Sequence, residues 1–195
     1  MRTVRTKVYS FNELSKEAQQ KAIEQFRDRE RVYLDFFNDD AIEQINDAGF
    51  YDDVKLQYSL SYCQGDGLSF SCKRIEWKAI EPLFTEVLGQ GKEKSAKLIF
   101  EHCSFLCTGN DWHYCFASKS DIDFCLENYN REYKNINEVV GNVLTKIENK
   151  YLELCKKLEN QGYSEIEYQQ SDEAIKETIL ANDYEFTKDG NEFFN

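Results

Sequence analysis

Between Ile136 and Leu158 the apolar residues Ile136, Val140, Val143, Ile147, Tyr151, Leu154 and Leu158 recur at spacings of three and four. That period describes one long helix with a single buried stripe. Such a helix needs a surface to lie on. The run is short for a coiled coil, so the expected surface is a sheet of the same chain. Gly162 follows the last apolar residue and is expected to close the helix. The fold class that follows is α+β: a mostly antiparallel sheet built from hairpins, packed by several helices including this long one in the C-terminal half. The chain holds a single proline and shows no internal repeat or low-complexity linker, so residues 1–195 are expected to form a single α+β domain.

Shorter patterns supply the other elements. Thr3–Tyr9 alternates as an opening strand, with Val4, Thr6 and Val8 on one side. Ser15 is an expected N-cap, with Glu17 in the first turn and Ala18, Ala22, Ile23 and Phe26 as the buried stripe. Phe37, Ala41, Ile45 and Ala48 make a second stripe that Gly49 stops. A third helix is expected to start near Pro82 and to bury Leu83, Phe84, Val87 and Leu88, before Gly89 and Gly91 break the chain. Cys103–Thr108 and Trp112–Ser118 read as strands turning at Gly109–Asp111. Glu165–Gln169 reads as a further strand, Ser171 as the cap of a last helix, and Tyr184–Phe194 as a hairpin around Asp189-Gly190.

The most site-like stretch runs from Tyr58 to Cys72. Tyr58, Leu60 and Tyr62 alternate with small polar residues, as do Leu68, Phe70 and Cys72. Between them Gln64, Gly65, Asp66 and Gly67 form the expected reversal, its Asp-Gly pair favouring positive φ. A hairpin needs a turn, yet it does not need a glutamine, two glycines, an aspartate and flanking serines together.

Charge narrows the partners. The net charge of -12 opposes general binding to a phosphate backbone, so no direct nucleic-acid contact is expected. Residues 35–53 carry Asp35, Asp39, Asp40, Glu43, Asp47, Asp52 and Asp53 without a Lys or Arg. Asp35, Asp39, Asp40, Glu43 and Asp47 form an expected acidic face, suited to a basic partner or to imitating a phosphate backbone. The plainer alternative is a solvated face that keeps the protein soluble. No apolar run reaches the length of a bilayer span and no signal peptide follows Met1, so no membrane contact and a cytoplasmic location are expected. Seven cysteines without an export signal fit reduced thiols.

Catalytic chemistry has little to stand on. His102, Cys103, Cys107, His113 and Cys115 are residue types that zinc uses, but they form no paired knuckle, and no metal is expected. Cys63 activated by His113 is conceivable as a nucleophile, with no spacing to support it. The Gln64–Gly67 turn lacks the lysine of a nucleotide-triphosphate loop. A small ligand held by Tyr62, Gln64, Ser69, Trp112, His113 and Tyr114 is an alternative to a plain aromatic core. No catalytic residue and no cofactor are assigned.

Three segments carry a resemblance. The opening Val8–Ile23, the closing Ser171–Ile175 helix with Asn182–Phe186 and Asp189-Gly190, and the turn Ser61–Phe70 resemble a group of small bacteriophage and prophage accessory proteins with an antitoxin-like label. The turn matches their S-[YF]-x-Q-G-D-G-x-x-F pattern and is the most specific part. The resemblance implies a phage protein working in the cytoplasm of a bacterial host by binding and blocking a host component. The expected function is non-enzymatic inhibition of a bacterial defence system, anti-CRISPR in kind. Its expected partner is a defence or nucleic-acid-handling protein, met through the acidic face or through Tyr62, Gln64, Gly65, Asp66, Gly67, Trp112, His113 and Tyr114. The alternative is a protein that binds or sequesters a small signalling nucleotide at that turn.

Overall fold

The long apolar period does become a helix, and it runs well past the expected stop. In the computed structural model, which describes residues 6–109, 116–117, 120–127 and 135–194, the elements follow in this order. A short strand β1 (Tyr9–Ser10) leads through a single helical turn (Phe11–Glu13) into α1 (Lys16–Arg29) and α2 (Asp35–Asp47). Then come β2 (Phe50–Tyr51), β3 (Lys55–Ser59), β4 (Gly67–Ser71) and β5 (Arg74–Ile75). Helices α3 (Trp77–Leu88) and α4 (Glu93–Glu101) precede β6 (Cys103–Thr108) and β7 (Asp121–Leu126). The chain ends with α5 (Ile136–Gln169), α6 (Asp172–Ala181) and β8 (Glu185–Phe186). The fold is α+β, and every strand pair among the described residues is antiparallel. No helix among them is long and apolar enough to cross a membrane.

The chain divides into two compact units, residues 1–34 with 164–195, and residues 35–163. The first unit is assembled from both ends of the chain. No linker composition marks where it begins.

In the terminal unit, Ser15 caps α1 as expected, accepting from Ala18 N–H, and Ser171 caps α6 through Ala174 N–H. Phe11, Leu14, Ala18, Ala22, Ile23 and Phe26 pack with Ile175, Ile179 and Phe186 into one apolar cluster. Tyr9 pairs with Phe186, so β1 and β8 close the two ends of the chain on each other. The last hairpin turns at Gly190 (φ 83°), where a Cβ would overlap the Ala18 carbonyl. Only glycine fits there.

In the central unit, β3 pairs with β4 from Lys55↔Ser71 to Ser59↔Gly67, and β6 pairs with β7 from Cys103↔Leu126 to Thr108↔Asp121. A bridge between Cys72 and Cys107 joins the two hairpins. Phe50, Phe70 and Tyr151 cluster where α5 crosses them, with ring centroids 4.5–6.2 Å apart. The Tyr151 hydroxyl accepts from Phe70 N–H (3.1 Å) and donates to Phe70 C=O (2.9 Å). Beyond the Cys72–Cys107 bridge, Phe70 has lost its backbone partner on that side, and the phenol replaces the missing rung. Burial pushes this phenol up, so it keeps its proton and remains a donor.

Several expectations change. Gly162 does not stop α5: the buried positions Tyr151, Cys155, Leu158 and Ile166 continue through it, so Glu165–Gln169 is helix instead of strand. Glycine inside a helix costs about 1 kcal/mol relative to alanine, too little to break a stripe that is being buried. Its reason is close approach, since a Cβ at Gly162 would overlap Leu60 Cδ1 and lie 3.1 Å from Phe37 Cζ. Pro82 lies inside α3, which begins at Trp77; the proline costs the carbonyl of Lys78, in the first turn, its helical partner. The strand partner of β6 is Asp121–Leu126, and most of Trp112–Ser118 lies outside the described residues, as does Thr3–Arg5.

Candidate functional site

The stretch from Tyr58 to Cys72 is organised by one carboxylate. Between Ser59 and Gly67 the chain makes a loop whose polar groups turn inward onto Asp66. Oδ1 accepts from the Ser59 hydroxyl (2.9 Å) and the Cys63 thiol (3.0 Å). Oδ2 accepts from Ser61 N–H (2.6 Å), Cys63 N–H (3.0 Å) and the Tyr163 hydroxyl (2.6 Å). Partial burial alone would raise this carboxyl. The hydrogen bonds from Tyr163, Cys63 and Ser59 outweigh it and hold the group well below the usual carboxylate range.

Asp66-Gly67 is therefore not the reversing pair expected from sequence. Gly67 is the buried first residue of β4, opposite Ser59, and the left-handed backbone in the loop is at Tyr62 (φ 56°). The loop reverses because a side-chain acceptor satisfies its backbone donors, as aspartate does in many turns. Of the predicted site residues, Tyr62 (63% exposed) and Gln64 stand at the surface, Gly65 and Asp66 are half-buried, and Ser69 is fully buried in β4. The Tyr62 ring packs on Tyr163 with centroids 4.8 Å apart. Trp112, His113 and Tyr114 lie outside the described residues.

The acidic face is built differently. Asp35, Asp39, Asp40, Glu43 and Asp47 are all exposed on α2, whose other side buries Phe37, Ala41 and Ile45. Spacings of three and four place Phe36, Asp39, Asp40, Glu43 and Asp47 along one stripe. Phe36 is 88% exposed at the N-terminal end of that stripe, beside Asp35, Asp39 and Asp40. The ion pairs among the described residues use none of these five acids. They use Glu30, Asp52 (with Arg74), Asp53 (with Lys55 and Lys73), Glu86, Glu159, Asp172, Asp189 and Glu192 instead. Within the acidic run 35–53, Asp52 and Asp53 in the turn after α2 thus hold cationic partners that the helix itself does not among the described residues.

Helix α2 runs antiparallel to α5 and is fastened along it. Lys157 Nζ donates to Gln44 Oε1 (2.7 Å), Gln44 Nε2 to Gln161 Oε1 (3.0 Å), and Lys150 Nζ to the Ala48 carbonyl (2.8 Å) near the C-terminus of α2. At Gly162 the notch in α5 admits Phe37 from α2 and Leu60 from the Asp66 loop side by side. The loop and the acidic helix are neighbours on one helix. Sequence reasoning missed Tyr163, Gly162 and Phe36. Phe36 was the findable one, since it lies three and four residues from the acids it accompanies.

The cysteine and histidine candidates disperse. The Cys63 thiol donates to Asp66, the Cys103 thiol donates to the Ile99 carbonyl (3.2 Å), and Cys107 is buried opposite Cys72. His113 and Cys115 lie outside the described residues. Among those described, no three His, Cys, Asp or Glu side chains are grouped to hold a metal. No protein-family model, no curated protein and no solved structure matches the chain.

Proposed function

We infer that the chain is a phage-type accessory protein that inhibits a bacterial defence system without catalysis, by docking on a basic, nucleic-acid-handling effector in the host cytoplasm. The observation that carries this reading is Phe36, exposed beside carboxylates on α2 that enter no ion pair among the described residues. Those carboxylates work against their own helix. Asp35/Asp39, Asp39/Glu43 and Glu43/Asp47 are like charges one turn apart, each pair costing a few tenths of a kcal/mol. Asp47 also stands at the negative end of the helix dipole. A helix shaped by stability alone would not keep that arrangement. A helix shaped to meet a cationic surface would, with the acids steering the encounter and Phe36 filling an apolar recess on the partner.

The resemblance to phage accessory proteins supports the class of target, and the acidic stripe supports its charge. The alternative, a signalling nucleotide held at Gln64–Gly67, has less to draw on, because both Asp66 oxygens already accept from the protein itself.

A purified CRISPR effector nuclease is the direct probe. Wild-type protein is expected to slow target cleavage and to bind more weakly as salt rises, as exposed charge pairs do. D39K/D40K/E43K and F36A are each expected to lose at least about tenfold in affinity while remaining folded. Undiminished inhibition by the triple reversal sinks the acidic docking reading.

A further inference from the structure

We propose that Cys72 and Cys107 are a latent disulfide, closed by a peroxide, that staples the β3–β4 hairpin to the β6–β7 hairpin. Cys72 and Cys107 stand directly opposite each other, each N–H donating to the other's carbonyl at 3.0 Å. An antiparallel pair of this hydrogen-bonded kind holds its Cα atoms about 5.5 Å apart with both side chains on one face. That separation is within the range a disulfide spans without backbone movement. Cys107 Sγ reaches the Phe70 carbonyl at 3.5 Å.

The other cysteines among the described residues do not share this geometry. On the same pair of strands Cys103 faces Leu126 and Cys125 faces Ser104, so those two thiols lie on opposite faces of the hairpin. Cys155 projects from α5, and Cys63 is engaged with Asp66.

Access decides the oxidant. Cys72 is 2% exposed and Cys107 1%, and both border a shallow depression of about 260 Å³ edged by Lys55, Gln57, Lys73 and Thr108. A peroxide is small enough to reach sulfur from that side when the rim breathes. The Cys107 thiol is engaged with the Phe70 carbonyl, which leaves Cys72 as the first sulfur to react. Cys72 sulfur attacks a peroxide oxygen, the O–O bond breaks, and the departing hydroxide takes the Cys72 thiol proton as water, leaving a sulfenic acid. Cys107 sulfur then attacks Cys72 sulfur, the S–O bond breaks, and the departing hydroxide takes the Cys107 proton as a second water. Two thiols are oxidised and one peroxide is reduced to two waters. The closed loop spans β5, α3 and α4, so the bond constrains the unfolded chain and stabilises the fold.

The test uses full-length C63S/C115S/C125S protein, which removes the thiols exposed among the described residues together with Cys115, treated with hydrogen peroxide while folded. The expected product is lighter by about 2 Da, carries a Cys72–Cys107 cross-linked peptide, and melts several degrees above the reduced protein. C107S is expected to stop at a dimedone-reactive sulfenic acid on Cys72. Should C107S fail to fold, the cross-link map of the parent protein decides alone. Cys72 and Cys107 both remaining alkylatable after unfolding, or a sulfinic adduct on Cys72 without a cross-link, overturns the proposal.

Discussion

Asp66 accepts five hydrogen bonds from within its own unit, whereas Asp35, Asp39, Asp40, Glu43 and Asp47 on the neighbouring α2 take part in no ion pair among the described residues. In sequence the loop is the more site-like of the two, and both regions carry carboxylates. The difference lies in where the lone pairs go. Asp66 is saturated by the chain that surrounds it, and its role is to hold a loop in shape. Of the α2 acids only Asp40 accepts a side-chain hydrogen bond among the described residues, from Gln44 Nε2 (2.7 Å), and the remaining lone pairs are left to water or to a partner. A conspicuous polar motif is therefore weak support for a binding site until its hydrogen bonds have been accounted for. The plainer run of aspartates on a helix passes that accounting better.

Substitutions at four positions press on this contrast. Gly162→Leu strikes the place where the two regions meet, because its side chain has no room beside Leu60 and Phe37. It is expected to cost about 2–3 kcal/mol in a denaturant titration, as overpacking does, and a neutral result would mean that loop and helix are not held together through α5. Asp66→Ala orphans Ser61 and Cys63 N–H together with the Tyr163 hydroxyl, and a fall in melting temperature of about 5 °C is expected. The same site has a pH signature. Its folded carboxyl lies below the unfolded value, so its contribution is present above about pH 4 and fades as the pH falls from there toward the folded value. Wild type should therefore lose stability through that window, and Asp66→Asn should lose less; parallel acid curves would contradict the saturated-carboxylate account.

Tyr163→Phe removes one donor and leaves the ring on Tyr62, so a smaller fall, about 2–3 °C by calorimetry, is expected. Asp47→Lys inverts the sign. It relieves the repulsion with Glu43 and complements the helix dipole, and a gain of about 0.3–1 kcal/mol is expected. A loss of stability there would show that α2 needs its acids for folding, and the contrast with Asp66 would collapse.

Local signals carried much of the fold. Ser15 and Ser171 sit at their caps, Gly49 stops α2 with φ 90°, and Gly190 turns the last hairpin, because in each case the cause lies within a few residues. The misreadings share a long-range cause. Gly162 is a notch for Leu60 and Phe37, residues remote in sequence, and nothing local distinguishes that from a C-cap. Asp66-Gly67 has the composition of a tight turn, but its acceptor is used by Ser59, Ser61, Cys63 and the distant Tyr163, which makes a wider loop. Pro82 reads as a helix start, whereas Trp77 packs on Phe84 and Phe100 (5.9 and 5.3 Å) and extends α3 upstream of it. The acidic face was legible because helical periodicity alone puts it opposite Phe37, Ala41 and Ile45. Its lack of ion pairs was not, since that depends on where distant lysines and arginines fall.

The central claim is that the α2 carboxylates serve a partner and not the fold. One paired measurement on D39K/D40K/E43K tests it: thermal stability, and affinity for a purified CRISPR effector across a salt series. The account predicts a melting temperature equal to or slightly above wild type, with binding lost and its salt dependence abolished. A lowered melting temperature with binding intact would contradict it.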